Sequence, residues 1–238
     1  MQTSSPTRRN LIIFIVVTLS AGWVGAALDR AVGTPDPQQG LGILLWILLP
    51  TVTGLLLRAF GGDGWQDAGV NPRLVTGWRW YGVAILLFPL LSLLLLGIGP
   101  LVGAFTLPGF ASQGAGAFLS LTAIAVLASF GKNIFEEFAW RGYLTPRFAA
   151  RRRPRLFNHL LTGLIWAGWH IPYWLFFVNV QTFSTLSTPA FMGLGIVTLI
   201  ITAITYGELR LWSQSVWPAV VLHSVANGIT ATFLLNGF

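Results

Sequence analysis

The chain alternates long, unbroken apolar runs with short polar breaks. Seven runs stand out: Leu11–Leu28, Leu41–Leu57, Tyr81–Leu101, Ala115–Gly131, Leu160–Val178, Ala190–Gly207 and Leu211–Phe238. A membrane-crossing helix needs roughly 20 consecutive apolar residues, and each run approaches or exceeds that length. The runs are continuous rather than alternating, so they predict helices and not the strands of a membrane barrel. The fold class read from this pattern is all-α: a polytopic membrane helical bundle of about seven to eight transmembrane helices, forming one domain over residues 1–238. The last run leaves three options open: one tilted helix, a kink after Asn227-Gly228, or a full span followed by a short tail helix.

The breaks are informative in their own right. Gly61 to Arg79 is the longest polar stretch of the first half and reads as a loop with room for a short interfacial helix. Gly142 to Asn158 contains Pro146 and Pro154 and cannot be one uninterrupted helix. Its basic and apolar mix near Thr145 to Arg153 predicts a helix lying in the membrane interface. Leu107 to Gly116 and Asn179 to Pro189 are uncharged loops.

Composition agrees with a bilayer setting. The chain is 54% apolar and 9% charged, against about 25% charged in soluble domains, and its mean hydropathy is +0.71. The net charge of +7 does not point to nucleic acid, because the arginines are distributed by topology. Arg8 and Arg9 precede the first run. Arg58, Arg73 and Arg79 follow the second. Arg141, Arg147, Arg151, Arg152, Arg153 and Arg155 follow the fourth, and Arg210 follows the sixth. The intervening breaks carry only Arg30, offset by Asp29 and Asp36, or no charge, so basic residues concentrate in every second break, the positive-inside pattern. It predicts an integral protein of a bacterial-type plasma membrane with a cytoplasmic N-terminus and, for seven spans, an outer C-terminus. Trp78, Trp80, Trp212 and Trp217 cluster at the predicted cytoplasmic ends, as interfacial tryptophans do. The Arg151–Arg155 run reads first as a topology anchor, with contact to anionic lipid headgroups as the lesser reading. Arg8-Arg9 followed by an apolar stretch resembles a secretion signal, but a retained first span preserves the alternation of basic breaks. With no cysteine in the chain, thiolate catalysis and cysteine metal ligands are excluded.

Polar residues inside the runs are concentrated in the second half: Lys132, Asn133, Glu136, Glu137, Arg141, His170, His223 and Asn227. Ionisable residues at membrane depth are costly and mark functional sites. Residues 1–110 therefore read as scaffold helices and 115–235 as the working core. Glu137 and Arg141 have the i, i+4 spacing of a helical ion pair, a structural role at the membrane edge. Glu136 points about 100° away on the helix and is the better candidate for a free carboxylate acting as general base. His223 and Asn227 share one helix face. Singly, each reads as polar glue between helices; an acid, two histidines and an asparagine on three spans form a reagent set for hydrolysis. Helix rise puts Glu136 within about 5 Å of the Arg-rich face, with His223 about 10 Å and His170 about 15 Å in. Glu136 is the shallow member: either the fourth span starts later than the apolar run suggests, or the site lies in a funnel open to the cytoplasm.

Glu136-Glu137-x-x-x-Arg141, then Trp166-x-x-x-His170, then His223-x-x-x-Asn227, in this order on late spans, resembles the CPBP family. That family includes the CAAX prenyl endopeptidases with bacterial abortive-infection and bacteriocin-immunity-type homologues. The resemblance covers roughly Ala117 to Leu235. One departure is visible: the family usually has Phe where Trp166 stands. The resemblance implies intramembrane endopeptidase activity on a membrane-associated, in some members prenylated, peptide or protein. By analogy Glu136 and His170 activate water, His223 and Asn227 stabilise the oxyanion, and Glu137 and Arg141 support the site. This mechanism needs no cofactor. The alternative places a catalytic zinc on Glu136, His170 and His223, although no His-Glu-x-x-His helix is present. Membrane lipids and a membrane-anchored substrate are the expected partners, and nucleic acid is not. The competing functions are a non-catalytic membrane protein of the same fold, acting in bacteriocin self-immunity or partner binding, and, ranked lowest, a transporter.

Overall fold

The computed structural model describes residues 8–103, 108–151, 153–182, 184–236 and 238. Leu107 of one predicted loop, Arg152 of the basic run, Phe183 of another loop and Gly237 of the last run lie outside the described residues. Regular structure among the described residues is entirely helical: α1 (Arg8–Val32), α2 (Leu41–Ala59), α3 (Trp78–Leu101), α4 (Pro108–Ala139), α5 (Thr145–Ala149), α6 (Arg155–Pro172), α7 (Thr188–Ser213) and α8 (Trp217–Asn236). Six helices are long and apolar enough to cross a membrane, with the α4–α5 segment counted as one. α6 is not among them, because Arg155, Asn158, His159 and His170 dilute its apolar content.

The helices pack in pairs: α1 along α2, α6 along α7, α4 along α8. Contacts of α1 with α6 and of α2 with α4 join the pairs, and α3 lies against α8. Lipid offers no hydrophobic drive between helices, so close approach relies on small residues and polar contacts. Gly25 and Gly42 supply the first of these between α1 and α2, where a Cβ on either would run into the other's backbone carbonyl. Asp29 accepts the Gly42 N–H at 2.9 Å, satisfying one of the orphan donors at the start of α2. Between α6 and α7, a Cβ on Gly163 would meet Ile200 Cα at 2.8 Å. Between α4 and α8, the Thr122 hydroxyl donates to Thr232 at 3.1 Å.

Several boundaries differ from the sequence expectation. The fourth span does not stop at Gly131. It begins at a break on Gly114 (φ 80°, ψ 161°), runs to Ala139, widens into a π turn over Trp140–Leu144 and continues as α5. The charged residues that end the apolar run are paired within the protein and so stay helical. Glu136 consequently lies about 20 Å from the end of α5 at 1.5 Å per residue, and its apparent shallowness disappears. α5 is short and buried rather than interfacial. Pro172 closes α6, and a second π turn, Tyr173–Phe177, follows. α7 runs through Glu208 and Arg210 to Ser213, where Gln214 ends it in the left-handed region (φ 55°). The last span starts only at Trp217 and crosses Asn227-Gly228 without a break. Residues 61–77 form turns and no helix.

The arginine-bearing ends meet at one end of the bundle. Arg58 reaches the carbonyls of Gly64 and Gly142 and pairs with Asp67 at 2.8 Å. Arg147 spans Asp63 and Asp67, and the Tyr143 hydroxyl donates to Asp63 at 2.7 Å. Arg210 donates to the carbonyls of Arg141 and Asp67. The 61–70 loop is therefore folded onto the π turn, α5 and α7.

Candidate functional site

Two adjacent carboxylates project from the last turn of α4, and each finds a different cation. Glu137 pairs with Arg141 at 3.0 Å, both side chains fully buried. The Arg141 guanidinium also lies over the rings of Trp166 (4.3 Å) and Tyr206 (4.6 Å), a cation–π arrangement that strengthens when water is excluded. Glu136 pairs with Lys132, whose Nζ is 2.5 Å from Oε1. Its other oxygen accepts from Trp166 Nε1 at 3.4 Å.

The expected division of the pair is thus only half right. The Glu137–Arg141 ion pair is present, with both side chains buried in the protein. Glu136 is not free, since Lys132 holds it. His223 donates from Nδ1 to Glu137, at 2.8 Å, not to Glu136. His170 donates from Nδ1 to the Trp166 carbonyl at 2.9 Å. Both partners are acceptors, so the proton of each ring is on Nδ1 and Nε2 of each is the nitrogen left for water or substrate. Asn227 donates to Asn133 Oδ1 at 3.1 Å, and Asn133 in turn donates to Ser224 Oγ at 3.1 Å.

Trp166 is the hub. Its ring lies 5.9 Å from His170, 5.6 Å from His223 and 5.6 Å from Tyr206, centroid to centroid. With its N–H on Glu136, it ties the α4 carboxylate to the histidines of α6 and α8. His170 is further enclosed by Trp169 (4.8 Å), Trp174 (5.4 Å) and Trp46 of α2 (5.8 Å). Trp46 and Trp169 each donate an indole N–H to the other's backbone carbonyl, at 2.9 and 3.0 Å. That double bond fixes the residue next to His170.

Access follows one rule on all three helices: the residue farther from the Arg-rich end is the more open. On α4 Lys132 is exposed while Glu136, Glu137 and Arg141 are buried; on α6 His170 is half-buried beyond buried Trp166; on α8 Asn227 is half-buried beyond buried His223. Toward the Arg-rich end, Trp140, Leu144, Tyr206, Val216, Ala219 and Val220 close the site. Among the described residues, the π turn, α5 and the 61–70 loop fill that end.

Zinc on Glu136, His170 and His223 does not fit this arrangement. Among the described residues, no three His, Asp or Glu side chains gather at metal-binding spacing. His223 is drawn to Glu137, and one Glu136 oxygen faces an ammonium group.

Residues 117–229, just under half the chain, match the sequence model of a family described as Type II CAAX prenyl endopeptidase Rce1-like. This stretch is an Rce1-like domain. It takes in most of α4, α5, α6, α7 and most of α8, and every candidate residue from Lys132 to Asn227 falls inside it. No curated protein matches the chain. The Rce1-like match supports a CAAX-type intramembrane protease kind of function, and with the six apolar helices it supports an integral membrane protein. Trp46 and the Asp63–Asp67 loop touch the Rce1-like domain from outside its matched bounds.

Four contributors had no role assigned from the sequence, although Lys132, Asn133 and Trp166 were named in it. Lys132 sits four residues before Glu136, the spacing that already paired Glu137 with Arg141, and was within reach of the same argument. The indole N–H of Trp166 was visible as a departure from Phe. Tyr206 and the Asn133–Ser224 link carry no signal short of the fold.

Proposed function

We propose that this protein is an intramembrane endopeptidase that hydrolyses a peptide bond of a membrane-associated peptide or protein, with prenylated CAAX-type chains as the substrate class the family suggests. The observation that carries the reading is the engagement of both histidines through Nδ1 around one indole, Trp166, whose N–H donates to the Glu136 carboxylate. In the proposed reaction Glu136, with His170 Nε2 beside it, takes a proton from water. The resulting hydroxide attacks the carbonyl carbon, and the carbon–oxygen π electrons move onto oxygen. His223, held by Glu137, and the free N–H of the Asn227 amide stabilise that oxyanion, a role worth about 3–4 kcal/mol per donor in acyl transfer. Collapse of the intermediate breaks the C–N bond, and the proton taken from water passes to the leaving amine. For this step His223 is protonated on Nε2 as well and donates from there to the oxyanion, while its Nδ1–H stays on Glu137. No metal enters this scheme, and metal analysis with a chelator challenge checks that directly.

We further propose that the Arg-rich end faces the cytoplasm, by the positive-inside rule, and that substrate reaches the site from the far side, past Lys132. The deciding experiment is cleavage of a bilayer-anchored peptide by the purified chain and by Glu136→Gln and His170→Ala. Both variants are expected to fall by at least about 100-fold in kcat while unfolding at the wild-type temperature within a few degrees. Wild-type turnover by either one removes that residue from the mechanism. No cleavage by the wild-type chain, with its cellular phenotype kept by both variants, favours the non-catalytic reading.

A further inference from the structure

Lys132 is the only lysine in the chain. Its ammonium is 2.5 Å from Glu136 Oε1, yet its side chain is 41% exposed while that of Glu136 is 1% exposed. The neighbouring ion pair is built differently. Arg141 is fully enclosed and clamped between two aromatic rings. Glu137 before Arg141 is also the order that favours a helical i, i+4 pair, whereas Lys132 before Glu136 is the less favourable one. Helix energetics therefore accounts for Arg141 and not for Lys132. A buried carboxylate without a cation is strongly destabilising, and Lys132 is the cation in contact with Glu136. A lysine delivers its charge from a flexible four-carbon stem, so this partner can leave.

Resting on the reading of Glu136 as the base, we infer that Lys132 is a positioning residue for it: a movable cation that balances and orients the carboxylate at rest and swings off Oε1 when water and substrate enter. The geometry suits that motion. Lys132 lies one helical turn beyond Glu136, on the open side of the site, and Trp166 keeps Oε2 fixed while Oε1 changes partner. Arg141 cannot substitute, because Glu137 and the two rings hold it.

Two measurements on the purified full-length chain test this. The first compares Lys132→Met and Lys132→Arg in peptide cleavage. Lys132→Met is expected to lose roughly tenfold or more in kcat with KM within about twofold, the signature of a group acting after binding, and Lys132→Arg is expected to recover most of the loss. The second needs no activity. Acylation of Lys132 by an N-hydroxysuccinimide acetate is followed by mass spectrometry, with the α-amine as internal reference, in the wild type and in Glu136→Gln. Removing the carboxylate charge frees the amine, and labelling is expected to accelerate severalfold. Equal labelling rates, a Lys132→Met kcat within twofold of wild type, or a Lys132→Arg loss as deep as that of Lys132→Met each overturn the proposal. Full cleavage by Glu136→Gln would instead remove Glu136 as the base, while the labelling comparison still decides the pairing.

Discussion

Trp166 combines three contacts that a phenylalanine would divide. Its face takes the Arg141 guanidinium, its edges meet both histidines, and its N–H reaches Glu136. Trp166→Phe keeps a ring and removes the donor. The lost hydrogen bond is long at 3.4 Å, so about 1 kcal/mol is at stake, or roughly a fivefold lower kcat, with little change in melting temperature. Steady-state kinetics beside a thermal melt checks both halves. The two carboxylates should also respond differently to the same change. Glu136→Gln leaves behind a lysine that can turn outward. Glu137→Gln leaves Arg141 buried and unable to move, at a cost of about 3–5 kcal/mol. Glu137→Gln is thus expected to melt well below Glu136→Gln, and a similar melting temperature for the two would contradict the burial argument. The sequence told these residues apart by spacing, but it could not supply the His223–Glu137 bond, which joins positions on α4 and α8 far apart in the chain.

Helix starts and helix ends were legible to different degrees. Apolar runs announced α1, α2, α3, the middle of α4 and the N-terminal part of α7, because a lipid-facing surface must be apolar along its length, whereas the start of α4 at Pro108 fell in a stretch read as a loop. The ends of α4 and α7 were read short. Lys132, Glu136, Glu137 and Arg141 in one, Glu208 and Arg210 in the other, break the apolar run but not the helix. Their compensation comes partly from other elements: Glu208 meets Arg155 and His159 of α6, and Arg210 meets two backbone carbonyls. No local window contains that information. The close pairs rest on small residues. Gly163→Val would push a side chain into the α7 backbone at Ile200, and overpacking of this kind costs about 1–3 kcal/mol. A lowered melting temperature with loss of cleavage is the expected result. An unchanged melt would mean that α6 and α7 have room to separate.

Across the whole molecule, the Arg-rich end works as a lid fixed in place. Asp67 is its keystone, accepting from both Arg58 and Arg147, arginines whose side chains are each 2% exposed. Asp67→Ala leaves two buried guanidinium groups short of a counter-charge, and a fall in thermal stability of several kcal/mol is expected. Asp63, which Arg147 and Tyr143 also touch, softens the loss; a double Asp63→Ala/Asp67→Ala variant should not fold. These contacts cross the boundary at residue 117 that sequence similarity draws. What is inherited as a recognisable unit and what folds as a unit are then different objects. Separated from residues 8–103, the 117–229 stretch would lose the Trp46 side of its histidine enclosure and the aspartates that neutralise its arginines. Expressed as two fragments in one membrane, the halves should instead find each other, with the 61–70 loop acting as the adhesive by which a cut chain becomes one protein again.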